Sequence, residues 1–205
     1  KRLFIIFCIV FSVNPIYSQL PNYLQSFDIG NDSILFMVGS NGIILKTTDQ
    51  GTTWINLDSP TTQFLNSVDF INLNTGWIPT GNDIIKTTDA GNTWNYLNIA
   101  NFFNGILQMQ DENTGWMRGL NARLQKTTDG GNTWNTNIVS TIGNFNITSI
   151  FFIDSLNGWI TGFWNSAPQI ITGLVYKTSN GGQSWDWQYW ANQTALSSVY
   201  FVSKD

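Results

Sequence analysis

The sequence contains no histidine and a single cysteine, Cys8, among its 205 residues. Nitrogen and thiolate metal sites are therefore disfavoured, and no D-x-D-x-D-G segment suggests calcium, so we expect no metal and no cofactor. Charged side chains make up only 11% of the chain. Surface helices are normally rich in glutamate, lysine and arginine, so this composition favours strands and turns.

Residues 1–19 differ in character from the rest of the chain. Lys1 and Arg2 precede an apolar run that ends at Val13, and the small residue Ser18 offers a cleavage point. This layout predicts a secretory signal peptide, because the run is too short to span a bilayer; a buried first strand is the alternative. The mature chain is then free of cysteine, so burial of apolar groups rather than disulfides must hold the fold.

Removal of the two basic residues with this segment changes the formal net charge from −4 to −6. An acidic surface argues against nucleic acid and anionic membranes as partners. We therefore expect a secreted or cell-surface protein that does not insert into a membrane after the signal is removed. Its expected partner is a protein or a glycan.

One phrase returns four times: "KTTDQGTTW", "KTTDAGNTW", "KTTDGGNTW" and "KTSNGGQSW", ending at Trp54, Trp94, Trp134 and Trp185. A second phrase, "NTGW" or "LNGW", keeps step with it and ends at Trp77, Trp116 and Trp159, with Phe36 in the same place in the first unit. Alternating runs and turns divide each unit of about 40 residues into four short strands, which is typical of a propeller blade.

The predicted fold is all-β, a β-propeller of four-stranded antiparallel blades forming an incomplete arc of about four blades from a ring of roughly six to eight. The blades are predicted at about 20–60, 61–100, 101–140 and 141–192, with the start of a further blade at 193–205. The abrupt start and end of the sequence lead us to expect a fragment of a longer protein. We expect every repeat tryptophan to be largely buried.

The recurring acidic phrase is predicted to be a structural turn. In the first copy the Asp49 carboxylate can accept backbone N–H groups ahead of it, Gly51 supplies a positive φ, and Trp54 begins the next strand. In the fourth copy Asn180 replaces aspartate, which a turn tolerates and a catalytic carboxylate does not. The structural positions are Thr47, Asp49, Gly51, Thr53, Trp54, Thr87, Asp89, Gly91, Thr93, Trp94, Thr127, Asp129, Gly131, Thr133, Trp134, Thr178, Asn180, Gly182, Ser184 and Trp185.

The pattern T-x-D-x-G-x-T-W resembles the Asp-box, or BNR repeat, of sialidases, some glucanases, sortilin-type receptors and the photosystem II stability and assembly factor family. The unit with "NTGW" ahead of "KTTDGGNTW" is most similar to that last family and its secreted bacterial relatives. The resemblance covers roughly residues 35–185. It implies that the Asp-boxes lie between the third and fourth strands of each blade, on the outer rim. The family's photosynthetic role depends on basic residues that this chain largely lacks.

Catalytic residues are hard to assemble from this sequence, so we expect none. Beyond the signal only Arg118, Arg123 and one glutamate, Glu112, remain, which cannot form a sialidase site. Asp111 and Asp154 each lie five residues before a repeat tryptophan, where other units have Asn72 and Asn31. They are therefore interpreted as turn residues, and we find no unrepeated acid pair on an innermost strand.

Candidate binding residues are those that break the repeat. The fourth unit carries about ten extra residues from Gly162 to Gly173, interpreted as a loop that holds Trp164 and Pro168. Such a loop can bind a ligand through its tryptophan or simply cover its own blade. Arg118 and Arg123 flank a hairpin turn and form either a small basic spot or solvated charges. Trp187, Tyr189 and Trp190 are interpreted as blade packing.

These observations favour a secreted, non-catalytic β-propeller that acts as a scaffold or binding module. The alternative is a fragment of a glycan-active hydrolase, sialidase-like or glucanase-like, whose catalytic residues lie in other blades. The sequence does not identify the ligand.

Overall fold

The structure is a computed structural model that describes residues 24–30, 33–99, 105–119, 122–139, 145–167, 170–192 and 194–199. The expected signal segment, Cys8, Asn31, Pro168 and most of the predicted start of a further blade lie outside these residues. Within the described residues the regular structure is all-β, apart from one 3-10 turn at Ser40–Gly42. None of the described residues belongs to a helix long and apolar enough to cross a membrane.

In the described part of the chain sixteen strands form four antiparallel sheets, each built from four strands consecutive in the chain. Blade 1 comprises β1 (Leu24–Ile29), β2 (Leu35–Gly39), β3 (Ile44–Thr47) and β4 (Ile55–Leu57). Blade 2 comprises β5 (Asp69–Phe70), β6 (Gly76–Pro79), β7 (Ile84–Thr87) and β8 (Asn95–Tyr96). Blade 3 comprises β9 (Leu107–Met109), β10 (Gly115–Arg118), β11 (Arg123–Thr127) and β12 (Asn135–Ile138). Blade 4 comprises β13 (Phe145–Phe152), β14 (Gly158–Ala167), β15 (Ile170–Thr178) and β16 (Asp186–Asn192).

The first strands of the blades contact one another in chain order, β1 with β5, β5 with β9 and β9 with β13. They are therefore the innermost strands, and β4, β8, β12 and β16 are the outer edges. This arrangement of four four-stranded antiparallel blades is a β-propeller and confirms the predicted fold class.

The apolar core lies between blades and is divided into three clusters, one at each blade joint. Alternation along the strands sends Phe36 and Val38 of β2 toward blade 2, where they meet Phe70 and Ile85. Blades 2 and 3 thus each have two apolar faces, one for each neighbouring blade. The sequence units therefore repeat because each joint between blades uses side chains at the same positions of the unit.

The interpretation of residues Gly162 to Gly173 as a loop is wrong. Strands β14 and β15 run through this segment, with Trp164 opposite Thr172 and Asn165 opposite Ile171. Alternating β-branched and aromatic residues continue the ladder instead of ending it. The extra residues therefore lengthen a hairpin of blade 4.

The expectation that every repeat tryptophan is largely buried is only partly correct. Trp77 and Trp116 are 0% exposed and Trp94 is 7% exposed. The other four, in contrast, are half-buried: Trp54, Trp134, Trp159 and Trp185. Three of these four follow an Asp-box and begin the outer part of a blade, where a smaller part of the ring is covered.

Candidate functional site

Each Asp-box is a closed turn in which the aspartate is used by its own residues. In blade 1 the Asp49 carboxylate accepts hydrogen bonds from the Thr47 hydroxyl at 2.7 Å and from the Thr53 N–H at 2.8 Å. Its second oxygen accepts from the Thr53 hydroxyl at 2.7 Å. The buried Thr47 hydroxyl in turn accepts from the Gly51 N–H at 3.0 Å. The same four bonds recur around Asp89 and Asp129.

These hydrogen bonds stabilise the ionised carboxylate. The Thr53 N–H and neighbouring threonine hydroxyls lower the pKa of Asp49 to about 2. The Thr93 hydroxyl and N–H do the same for Asp89, also to about 2. The pKa of Asp129 is lowered as well, with the Thr133 hydroxyl as the main cause. A carboxylate held ionised in this way is a poor general acid at neutral pH.

The fourth copy keeps the same geometry with an amide. The Asn180 carbonyl oxygen accepts from the Thr178 hydroxyl at 2.9 Å and from the Ser184 N–H at 3.0 Å. Its amide nitrogen donates to the Ser184 hydroxyl at 2.8 Å, so this one bond reverses direction. The turn therefore requires one acceptor oxygen and a second polar atom, which can accept from or donate to the hydroxyl four residues later, and it does not require charge.

The backbone of the second, third and fourth boxes also contacts the preceding blade. The Lys46 ammonium of blade 1 donates to the Ala90 carbonyl of the second box at 2.9 Å. The Lys126 ammonium of blade 3 donates to the Gly181 carbonyl of the fourth box at 3.1 Å. At the joint between blades 2 and 3 the Trp77 indole donates to the Gly130 carbonyl at 2.9 Å. The turn of the Asp-box thus directs a backbone carbonyl toward a donor of the preceding blade and links the two blades.

An aromatic or sulfur side chain on the innermost strand fills the centre of each joint. Phe70 stacks on Phe36 of the preceding blade, with ring centroids 3.9 Å apart, and meets Trp94 of its own blade edge to face at 6.0 Å. Phe152 stacks on Trp116 at 3.6 Å in the same way. Met109 takes this place at the joint between blades 2 and 3.

The glycine two residues after the box aspartate allows this close approach. Gly131 has φ +96°, and a Cβ atom there would lie 3.1 Å from Leu97 of the preceding blade. Gly91 has φ +81°, and a Cβ atom would lie 2.9 Å from Leu57. Backbone conformation and the neighbouring blade both select glycine at this position.

A second set of joint residues lies on the innermost strands and is missed by the sequence analysis. Asp28 accepts the Phe70 N–H of the next blade at 2.5 Å, and Asp69 accepts the Met109 N–H at 2.5 Å. Gln108 accepts the Phe152 N–H at 2.7 Å and returns a bond to the Phe152 carbonyl at 3.2 Å. In the strand register all three acceptors lie opposite the repeat tryptophan or its equivalent, Phe36. Aligning the sequence units on this tryptophan position is therefore the signal that finds them.

Burial dominates the electrostatics of this second set. Burial raises the pKa of Asp28, while the bonds from Phe70 and Ile29 oppose it. The pKa of Asp69 is raised well above its usual range by burial and by the negative charge of Asp28. A neighbouring acid pair with raised pKa is a pattern of glycosidases. Here, however, each carboxylate bonds to a backbone N–H of the next blade, and neutral Gln108 performs that task at the next joint.

The acids interpreted as turn residues make turn hydrogen bonds. Asp111 accepts the N–H groups of Asn113 and Thr114 at 2.8 and 2.7 Å, and these bonds lower its pKa. Asp154 accepts two N–H groups in the corresponding turn of blade 4, and Asn72 does so in blade 2. The described residues contain no group of three or more acids or thiols that could hold a metal ion.

Arg118 and Arg123 lie at adjoining ends of the paired strands β10 and β11 but differ in burial, and Trp164 is partly covered. Arg118 is half-buried and donates from Nη1 to the Ile147 carbonyl of blade 4 at 3.0 Å, and burial lowers its pKa. It is thus a link between blades 3 and 4, whereas Arg123 is exposed. Trp164 is half-buried and packs against the core between blades 3 and 4.

The interpretation of the β16 aromatic residues as blade packing is wrong. Trp187, Tyr189 and Trp190 are 53%, 57% and 48% exposed. Outer strands contact one neighbouring strand only, so residues at their far ends have less of the sheet to pack against. This strand gives blade 4 an aromatic edge that the other described blades do not have.

Comparisons with known proteins agree with this architecture. Residues 17–106 match the family model described as photosynthesis system II assembly factor YCF48. None of the curated proteins matches the chain. Among solved structures, the chain is similar to YCF48 bound to D1 peptide, with 17% identity, a TM-score of 0.50 and 82% of each chain covered. YCF48 from Cyanidioschyzon merolae matches with 15% identity and a TM-score of 0.51 over 82% of this chain and 86% of that one.

The GH74 enzyme of Niastella koreensis matches at 21% identity and a TM-score of 0.59, over 77% of this chain but only 28% of that one. At these identities the structural matches show the fold alone, which is shared by proteins of different function. Together with the four Asp-box turns and the four-stranded blades, they show that the chain is a BNR-type β-propeller similar in fold to YCF48.

Proposed function

We propose that this chain is an exported, non-catalytic β-propeller that binds a protein partner. The observation that carries the proposal is the contrast between its acids and its aromatic residues. The carboxylates of the Asp-boxes, of the innermost strands and of the turns accept hydrogen bonds from backbone N–H groups and hydroxyls of the propeller itself. Large aromatic side chains, in contrast, are exposed together on one strand.

Two further points support the proposal. Protein interfaces are enriched in tryptophan and tyrosine, which bury a large area with few rotatable bonds. The similar YCF48 structure contains a bound D1 peptide, so a propeller of this architecture accommodates a polypeptide. Export is supported by the character of residues 1–19, with two basic residues ahead of an apolar run.

Photo-crosslinking tests the binding function. Benzoyl-phenylalanine is placed at Gln188 on the aromatic edge or at exposed Ser155 on the Asp-box side, and the full protein is irradiated in its own cells. We expect a discrete crosslinked polypeptide, which must then bind the purified protein in solution. A protein that yields no partner from either position, and none from positions in blades 1 to 3, contradicts the proposal.

Export has its own test. Residues 1–24 are fused to a phosphatase that is active only outside the cytoplasm. We expect activity and a mature chain that begins near Gln19. An inactive fusion, with Lys1 and Arg2 retained on the cell-associated protein, contradicts export.

The hydrolase alternative is favoured by one observation, the neighbouring acids Asp28 and Asp69 with raised pKa. Reducing-end release from a panel of β-glucans and sialylated glycans tests it. Our proposal predicts no release by the wild-type protein. Release that disappears in both Asp28→Asn and Asp69→Asn, with folding intact, would establish the alternative.

A further inference from the structure

Strand β16 is an unusually long outer edge. It comprises seven residues and pairs only with β15 in the described sheet, whereas the outer strands of blades 1, 2 and 3 comprise three, two and four residues. An outer strand presents unpaired N–H and C=O groups to solvent. The longer the regular strand, the more of these groups a second chain can pair with.

The exposure of Trp187 and Trp190 does not arise from a missing neighbour on their face of blade 4. Trp187 lies opposite Tyr176 and Trp190 lies opposite Leu174, so both share the face that packs on blade 3. Blade 3 is present, yet these indoles remain about half exposed. Tyr189 lies opposite Val175, on the other face.

Few devices protect this edge against strand addition. The segment from Asp186 to Asn192 contains no proline and no lysine, which are the usual means of blunting an edge. One bulge interrupts the register between Val175 and Tyr176, next to Trp187. The run from Tyr189 to Ala191 keeps a regular pairing with β15 beyond the bulge.

The charge of the surface indicates what kind of segment fits. The only charged side chain of β16 is Asp186, and the whole chain has a formal net charge of −4. Indole and phenol faces attract cations. The propeller already uses this chemistry internally, because lysine ammonium groups lie 4.7–5.4 Å from the ring centroids of Phe36, Trp77, Trp116 and Trp159.

We propose that β16 is a strand-addition site for an extended segment of a partner protein that carries basic and apolar side chains. The inference rests on the proposed binding function and assigns its location. The partner's backbone pairs with the free edge of β16, and Trp187 and Trp190 hold alternate side chains on the face toward blade 3. Basic groups of the segment lie over the exposed rings.

The probe is a fluorescein-labelled peptide of alternating lysine and valine, about eight residues long, which matches the length of a strand. Two further versions carry N-methyl groups on alternate residues, one in each phase. Methylation removes hydrogen-bond donors without changing the side chains. We expect binding by fluorescence anisotropy, loss of at least about tenfold in affinity for one phase only, and little change for the other.

Protein variants locate the site. We expect Trp187→Ala and Trp190→Ala each to weaken binding of the probe by about tenfold, as truncation of interface aromatics commonly does. Ile55→Ala is the matched control, because Ile55 is 55% exposed on the outer strand of blade 1, and it should leave binding unchanged. Circular dichroism confirms that each variant is folded.

Several results overturn the inference. They are absence of probe binding, equal binding of both methylated peptides, and equal binding by the double variant Trp187→Ala/Trp190→Ala. Displacement of the probe by neutral oligosaccharides shows a glycan surface instead, and a dimer that Trp190→Ala dissociates shows that a second copy occupies the edge. If the crosslinked partner still binds the double variant as tightly as wild type, the edge assignment fails while the proposed function stands.

Discussion

Trp116 at the joint between blades 3 and 4 provides the most informative stability test. Its ring is fully buried and stacks on Phe152 at 3.6 Å, and its Nε1 donates to the Gly181 carbonyl at 3.4 Å. Replacement of a core tryptophan by alanine costs about 3–5 kcal/mol, and the lost stack adds about 1 kcal/mol. The Gly181 carbonyl keeps its bond from Lys126, so no orphaned acceptor adds to the cost. We therefore expect Trp116→Ala to lower the free energy of unfolding by about 4–6 kcal/mol.

Two comparison variants separate the stack from general loss of volume. Phe36 occupies the equivalent place in blade 1 and stacks on Phe70 at 3.9 Å, so Trp116→Phe should retain the stack and cost only about 1–2 kcal/mol. Trp185 lies on the other side of Phe152, edge to face at 5.9 Å, and is half-buried. Its truncation to alanine should cost about 2 kcal/mol.

Equilibrium unfolding in urea measures these differences, and hydrogen exchange locates them. Because blades contact only their neighbours, Trp116→Ala should accelerate exchange in β13 and leave β2 almost unaffected. Equal costs for Trp116→Ala and Trp185→Ala would refute the reasoning. So would a Trp116→Phe variant as unstable as Trp116→Ala.

Three further predictions concern charge and backbone. Asp69→Asn should stabilise the protein at neutral pH. Burial and the charge of Asp28 raise the pKa of Asp69 in the folded state, so the stability of the wild type falls as the pH rises above the usual aspartate pKa. Thermal unfolding at several pH values should show a flatter pH dependence of stability for the variant. The reverse change, Gln108→Glu, should introduce the same pH-dependent loss at the next joint. Lys126→Met should lower stability by about 1–2 kcal/mol in urea titrations, since the Gly181 carbonyl loses a charged donor. Gly131→Ala should cost about 1–3 kcal/mol, because its φ of +96° disfavours any side chain, and an unchanged urea midpoint would contradict this.

The repeat made the blades predictable from the sequence. The positions of Asp129, Gly131 and Trp134 recur at fixed spacing in every unit, with Asn180 in place of the aspartate in the fourth. Local hydrogen bonds between residues two to four apart create the turn. Local patterns of this kind are visible without any knowledge of neighbouring chains. The place of Trp116 was also predictable, because the "NTGW" or "LNGW" phrase recurs in the second, third and fourth units.

The joints were less predictable, because they depend on residues about 40 positions apart. Asp28 and Asp69 look like ordinary polar residues of alternating strands, and their role emerges only when the next blade supplies a backbone N–H group. The exposure of Trp187 could not be predicted either, because the aromatic content of β16 fits packing equally well. The segment around Trp164, predicted to be a loop, is part of a hairpin. The pattern of polar residues in this segment did not indicate its strand pairing.

The central claim, that Asp-box carboxylates brace turns and do no chemistry, is tested most directly by Asp129→Asn beside Asp129→Ala. The amide preserves the bonds seen around Asn180, so we expect Asp129→Asn to unfold within about 0.5 kcal/mol of wild type. Alanine removes three accepted hydrogen bonds, worth about 1–2 kcal/mol together after allowance for solvent exposure. Both variants should bind the crosslinked partner like wild type. An Asp129→Asn protein with wild-type stability but lost function would contradict the account.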